Sequence, residues 1–187
     1  ARIIDTGDLA TPTNRITQEL SELGEGLAIV ESFSHVWAVD TGDGLVLVDT
    51  SHVNSGQAAL DAIREWRTDR VRSMVYTHGH IDHVGGSGAI LAEAAANRAP
   101  TPDVIAHEAV HDRFARYRET TGWNMVINAR QFGGNVKRTD VVGASPDQFL
   151  PADVVSPTVT HDDGMTVTIG DTTFEMHHAN GETDDHT

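Results

Sequence analysis

Residues 71–86 read Val-Arg-Ser-Met-Val-Tyr-Thr-His-Gly-His-Ile-Asp-His-Val-Gly-Gly. The first half is an apolar run that suits a buried strand. The second half gathers His78, His80, Asp82 and His83 and closes on a glycine pair. Imidazole nitrogen and carboxylate oxygen both suit zinc and related divalent ions. The chain is therefore expected to fold so that a strand ends in a ligand-bearing loop with a helix directly after it. On extended backbone, side chains two apart share a direction, so His78 and His80 are expected to grip one ion together. Asp82 continues that parity and His83 breaks it, which sends His83 toward a second ion or a different face. Two neighbouring ions suit hydrolysis. Gly79 keeps the loop free of bulk, and Gly85 and Gly86 are expected to let the backbone turn tightly.

The remaining pattern alternates strands and helices. Leu27–Val30 and Val36–Val39 read as short strands, and Asp40-Thr41-Gly42-Asp43-Gly44 is turn chemistry. Leu45–Val48 is a continuous apolar strand expected to be buried on both faces. It ends in Asp49, which either orients the metal loop from behind the ligands or simply closes the strand. Ser55 is a candidate cap for a helix to about Arg67, with Ala59, Leu60, Ile63 and Trp66 at helical spacing. Further helices are expected over Gly88–Asn97 and from about Glu108 to Glu119, with a strand at Val104–Ala106 between them. Residues 120–150 are broken by several glycines and Pro146 and read as a long excursion of the kind that lines a pocket. Within it, Arg130 is a candidate contact for an anionic substrate. Strands return at Thr158–His161, Met165–Ile169 and Thr172–His177. The fold class is α/β, an α+β sandwich, with residues 1–24 as an N-terminal arm and 25–187 as the domain.

His78-Gly79-His80-Ile81-Asp82-His83 resembles the His-x-His-x-Asp-His signature of the metallo-β-lactamase-fold hydrolases. The order of elements around it also matches that family's opening half, so the resemblance covers most of residues 25–187. It implies an αββα fold, of which this chain carries the first half and part of the second. It further implies that His78 and His80 hold one zinc and that Asp82 and His83 help to hold another. Near the end, Gly181-Glu182-Thr183-Asp184-Asp185-His186 falls where many relatives carry Gly-His-Thr-x-Gly-His. That puts Glu182 in the place of a ligand histidine, His186 in that of a supporting histidine, and His178 before the turn, near the site. A carboxylate there is similar to the alkylsulfatase branch, where a Gly-Thr-Glu turn supplies it, although the order here is Gly-Glu-Thr. The alternative for Glu182 is a solvated turn residue. His177 is expected to face away. The family's bridging acid and a further histidine do not occur before Thr187. The chain is thus expected to be an amino-terminal part, truncated at its end, that associates with another copy or with the rest of its fold.

The resemblance implies a zinc-dependent hydrolase, with two ions per complete site and Mn2+ or Fe2+ as alternatives. A metal-bound hydroxide would attack a small ester-like substrate. A sulfate ester is the first expectation, then a lactone, thioester or phosphoester, with Asp82 orienting the nucleophile or passing a proton. The contrasting reading is a non-catalytic metal-binding or assembly module. A competing motif, His107-Glu108-Ala109-Val110-His111, has the spacing of a helical zinc peptidase site. It directly follows a short strand and no obvious third ligand follows in the next stretch of helix, so it is set aside. Asp and Glu number 28 against 13 Lys and Arg, and the net charge of −15 argues against nucleic acid as a partner. No apolar run is long enough to span a bilayer. The chain has no cysteine, which removes thiolate ligands and fits a cytoplasmic setting.

Overall fold

The computed structural model describes Thr6, residues 16–131 and residues 148–187. Seven strands form one mixed sheet in chain order: β1 (Leu20–Gly24), β2 (Leu27–Val30), β3 (Val36–Asp40), β4 (Leu45–Val48), β5 (Val71–Val75), β6 (Asp103–His107) and β7 (Val159–His161). The first four pair antiparallel through short turns, and β4 to β7 pair parallel. Parallel neighbours need crossovers. These are supplied by helices α1 (Gly56–Trp66), α2 (Ile81–Val84), α3 (Ser87–Ala96), α4 (Ala109–Glu119) and α5 (Thr121–Gln131). Strands β8 (Gly164–Ile169) and β9 (Thr172–His177) form a separate antiparallel hairpin.

The strand period of two sorts side chains into two cores. Leu45 and Leu47 of β4, Met74 of β5, and Val104 and Ala106 of β6 meet Leu60, Ile63, Ile90, Val110 and Phe114 from the helices. The alternate residues Val46, Val75 and Ile105 face the other way and meet Ile169 and Met176 of the hairpin. Facing register pairs Met165–Met176 and Val167–Phe174 place the hairpin's apolar side on that face. The layers are therefore helices, large sheet, small sheet: an αββα architecture whose outer helical layer is absent among the described residues.

Three elements depart from the sequence expectations. Leu20–Gly24, read as part of an arm, is the edge strand β1; it joins through backbone pairing to β2 and buries almost nothing. Residues 121–131, read within an irregular excursion, are helical, and only Met125 of that helix is buried. Ser55 precedes α1 but makes no side-chain cap hydrogen bond. The excursion's positions 132–147 lie outside the described residues.

All the parallel strands point the same way, so their carboxyl ends converge at one rim. In open α/β sheets that rim is where ligands bind. Asp49 follows β4, His78 and His80 follow β5, and Glu182 lies in the turn after β9.

Candidate metal centre

Strand β5 ends at Val75, and Tyr76 through His80 form an irregular bridge into the one-turn helix α2. That helix begins at Ile81, so strand parity stops before Asp82. The two-residue alternation expected to carry Asp82 to the side of His78 and His80 does not operate there. The glycine pair after α2 also works differently from expectation. Gly85 (φ −64°) and Gly86 (φ −82°) have ordinary right-handed backbone. Their necessity is space, because a Cβ on Gly86 would sit 2.0 Å from the Thr50 carbonyl oxygen. The loop after β4 can thus press against α2, where the Thr50 N–H donates to the His83 carbonyl at 2.7 Å.

His78, His80 and Glu182 form the one group of three metal-capable side chains among the described residues whose ligand atoms all lie within 4.8 Å of one another. His78 Nε2 is 3.7 Å from one Glu182 oxygen, and His80 Nδ1 is 3.6 Å from the other. Ligands about 2.0–2.2 Å from a tetrahedral zinc stand roughly 3.3–3.6 Å apart, so the spacing fits such an ion with small adjustment. The buried His78 Nε2 has no hydrogen-bond partner, and orphaned buried polar atoms are rare unless a ligand serves them. The donor set, two imidazoles and a carboxylate with room for a fourth position, matches an open zinc site.

Behind these three side chains, Asp49 organises the loop. It is 4 % exposed and holds a left-handed backbone (φ 60°), a region that aspartate enters more readily than most residues. Its carboxylate accepts the Thr77 N–H at 2.8 Å, the Thr77 hydroxyl at 2.8 Å and His83 Nδ1 at 2.7 Å. Because the Thr77 hydroxyl proton goes to Asp49, its oxygen is left to accept from His78 Nδ1, 3.1 Å away. That assignment of protons leaves the His78 Nε2 lone pair facing Glu182.

The electrostatics agree. Burial, reinforced by the neighbouring histidines, pulls the His78 pKa down to about 3. Burial likewise lowers that of His80. Both rings are therefore neutral near pH 7, the form that binds a metal. His83 goes the other way: burial would lower its pKa, but the hydrogen bond and charge of Asp49, with Asp82 and Glu182 nearby, raise it.

The remaining candidates scatter. Asp82 accepts the Ser34 hydroxyl at 2.7 Å, and its Oδ2 lies 3.7 Å from His83 Nε2. The pair adjoins the three-residue group without completing a second set of three. His186 stacks on His78, with ring centroids 4.9 Å apart. His178 turns from the site to pack on His107 at 4.1 Å. His177 is exposed, as expected. Arg130 is exposed on α5 and does not line the cleft that His80 and Glu182 line; Arg116 of α4 does. That cleft, about 560 Å³, runs from His80, Asp82 and Glu182 past Phe33, Ile127 and Phe149. Arg116 escaped notice in the sequence because nothing marks one arginine of an arginine-rich helix as facing a cleft. In the competing motif, His107 closes β6 and its Nδ1 accepts the Ala109 N–H, while His111 is exposed on α4. The two do not share a helical face.

Comparison with known proteins agrees with this layout. The family profile described as "Metallo-beta-lactamase superfamily" matches residues 29–187, and the chain belongs to that superfamily. Over 58 residues it is 40 % identical to an (R)-specific secondary-alkylsulfatase from a Pseudomonas species, a match covering 30 % of this chain and 9 % of that protein. Among solved structures, BJP-1, a subclass B3 metallo-beta-lactamase of Bradyrhizobium japonicum, superposes with a TM-score of 0.65 at 22 % identity, over 95 % of this chain and 58 % of that one. The sec-alkylsulfatase Pisa1 from Pseudomonas sp. gives 0.64 at 21 % identity, over 90 % of this chain and 28 % of that one. A B3 metallo-beta-lactamase described as having an active-site glutamic acid gives 0.60 at 21 %, over 100 % and 59 %. The chain thus spans less than two thirds of the length of these relatives, and among the solved structures lactamases and alkylsulfatases resemble its fold to the same degree.

Proposed function

We propose that this chain carries the metal-binding part of a zinc-dependent hydrolase acting on small ester-like substrates, with a sulfate ester as the favoured class. The observation that carries the reading is the orphaned His78 Nε2 grouped with His80 and Glu182, two residues that line a cleft. A divalent ion held by these three would supply Lewis acidity and a water ionised near neutral pH.

The chain's own residues divide the remaining work. Asp49 and Thr77 fix the tautomer and orientation of His78 and hold His83. Asp82, held by Ser34 and lining the same cleft as His80 and Glu182, would accept or pass a proton at the reacting centre. Phe33, Ile127 and Phe149 give the cleft apolar lining and Arg116 gives it a cation, a combination that suits an anion with an apolar tail. This supports a sulfate ester over a neutral lactone. The alkylsulfatase match and the carboxylate at position 182 point the same way. A second ion on Asp82 and His83 would need ligands from elsewhere. The reading of a metal-binding module without turnover draws on that incomplete second set. A cytoplasmic location is proposed on the cysteine-free composition.

The test is metal content by mass spectrometry on the purified chain, with turnover of aryl and alkyl sulfates, phosphates and lactones after zinc loading. Bound zinc with sulfatase turnover supports the reading. Bound zinc with no turnover of any ester favours the module.

A further inference from the structure

Asp185 takes no part in metal ligation, yet it is the most deeply buried carboxylate among the described residues, at 0 % exposure. Its Oδ2 accepts the Gly79 N–H at 3.0 Å and Arg113 Nε at 2.6 Å, and its Oδ1 accepts the Thr183 hydroxyl. Arg113, on α4 and itself 9 % exposed, also reaches Asp184 through its terminal nitrogen at 2.5 Å. Gly79 lies between the ligands His78 and His80, and Thr183 adjoins the ligand Glu182. One buried carboxylate thus ties together the backbone of the histidine loop, the turn that carries the third ligand, and helix α4.

The fit at this junction is tight. A Cβ on Gly79 would stand 2.8 Å from Arg113 Cδ and 2.9 Å from Asp185 Oδ2. Glu182 needs such support, because its side chain is 65 % exposed and its turn has no regular secondary structure. A buried ion pair of this kind is a poor way to stabilise a fold, since desolvating two charges offsets most of their attraction. What it supplies is register between the segments it joins. Burial would raise the Asp185 pKa, and the bonds from Arg113, Thr183 and Gly79 outweigh that and hold it below the ordinary carboxylate range.

We propose that Asp185, clamped by Arg113, is a positioning residue of the metal centre that sets the separation between Glu182 and the His78–His80 pair. The proposal rests on the metal-centre reading above. It differs from a purely structural role in one respect: the clamp governs the geometry of the bound ion as well as the stability of the chain.

The experiment is titration of the metal-free protein with Co2+, read by the visible absorption of the bound ion and by the Kd. It compares the unmodified protein with Asp185→Ala, Asp185→Asn, Thr183→Val and, as control, Asp184→Asn. Thermal melts of the metal-free proteins identify the folded variants. Asp185→Ala is expected to weaken Co2+ about 10- to 100-fold and to change its absorption. Asp185→Asn, which keeps an acceptor for the Gly79 N–H, recovers most of the affinity, and Asp184→Asn matches the unmodified protein. Thr183→Val is mild enough to fold if Asp185→Ala does not, and it weakens Co2+ a few-fold. If the folded Asp185 and Thr183 variants bind Co2+ with unchanged Kd and spectrum, the clamp is structural only and the proposal fails. If the unmodified protein binds no Co2+, the metal centre itself is refuted, a result the first comparison cannot be mistaken for.

Discussion

Replacing Glu182 with glutamine removes the only charge among the three clustered ligands while keeping their shape. In the metal-free protein the change should matter little. Glu182 is 65 % exposed, and its partners are histidines 3.6 and 3.7 Å away. Stability without metal is therefore expected to stay within about 0.5 kcal/mol of the parent. With zinc bound the arithmetic differs. A carboxylate oxygen about 2.1 Å from a dication, screened as strongly as by water, gains about 4 kcal/mol. The exposure of Glu182 justifies that high screening. The glutamine carbonyl recovers part of the gain, leaving a loss of about 2–3 kcal/mol, or about 30- to 150-fold in Kd. The assay is zinc titration against a competing chelator, paired with thermal melts at one fixed zinc concentration. At about 100 times the parent Kd, zinc stabilises the parent by about 2.7 kcal/mol, and a variant bound 100-fold more weakly by about 0.4 kcal/mol. An unchanged Kd in Glu182→Gln would show that Glu182 is a solvated turn residue and that the ion, if any, sits elsewhere.

Other outcomes follow from the same structure. In the metal-free protein His78, with its pKa near 3, and His80 bind fewer protons folded than unfolded below the ordinary histidine value of 6.5. Stability should therefore fall as pH drops from 6.5 toward 3, with a shallower slope in His78→Gln; melts across that range check it, and a flat profile would contradict it. Arg116→Ala should raise KM about 2- to 5-fold for anionic esters and leave neutral esters unchanged; equal effects on both would remove Arg116 from substrate contact. Ile169→Ala, at the buried seam between the two sheets, should cost about 2–4 kcal/mol in urea unfolding; a loss under 1 kcal/mol would mean that the hairpin is not packed as described.

What could be read from the sequence was what is local. The signature at residues 78–83 is contiguous, so its metal-capable side chains were visible without a fold. Glu182 was visible through the neighbouring Gly181 and Thr183. Helix α1 announced itself through apolar residues at helical spacing, and α3 through a run rich in Ala, Leu and Glu. Helix α5 did not, because it buries only Met125 and so leaves no stripe. Strand β1 did not, because an edge strand held by backbone pairing needs no apolar pattern. The direction of Asp82 and His83 could not be read from strand parity once a single helical turn intervened at Ile81. The Arg113–Asp185 pair spans 72 positions and has no local signature. The same holds for Arg116, whose side of the cleft depends on how α4 and α5 pack.

The central claim is that His78, His80 and Glu182 hold one divalent ion. Crystals soaked in zinc and measured on both sides of the zinc absorption edge test it directly. The account requires an anomalous peak within bonding distance, about 2.0–2.2 Å, of His78 Nε2, His80 Nδ1 and a Glu182 oxygen. No peak at that position, or a peak on His107 and His111 instead, would contradict it.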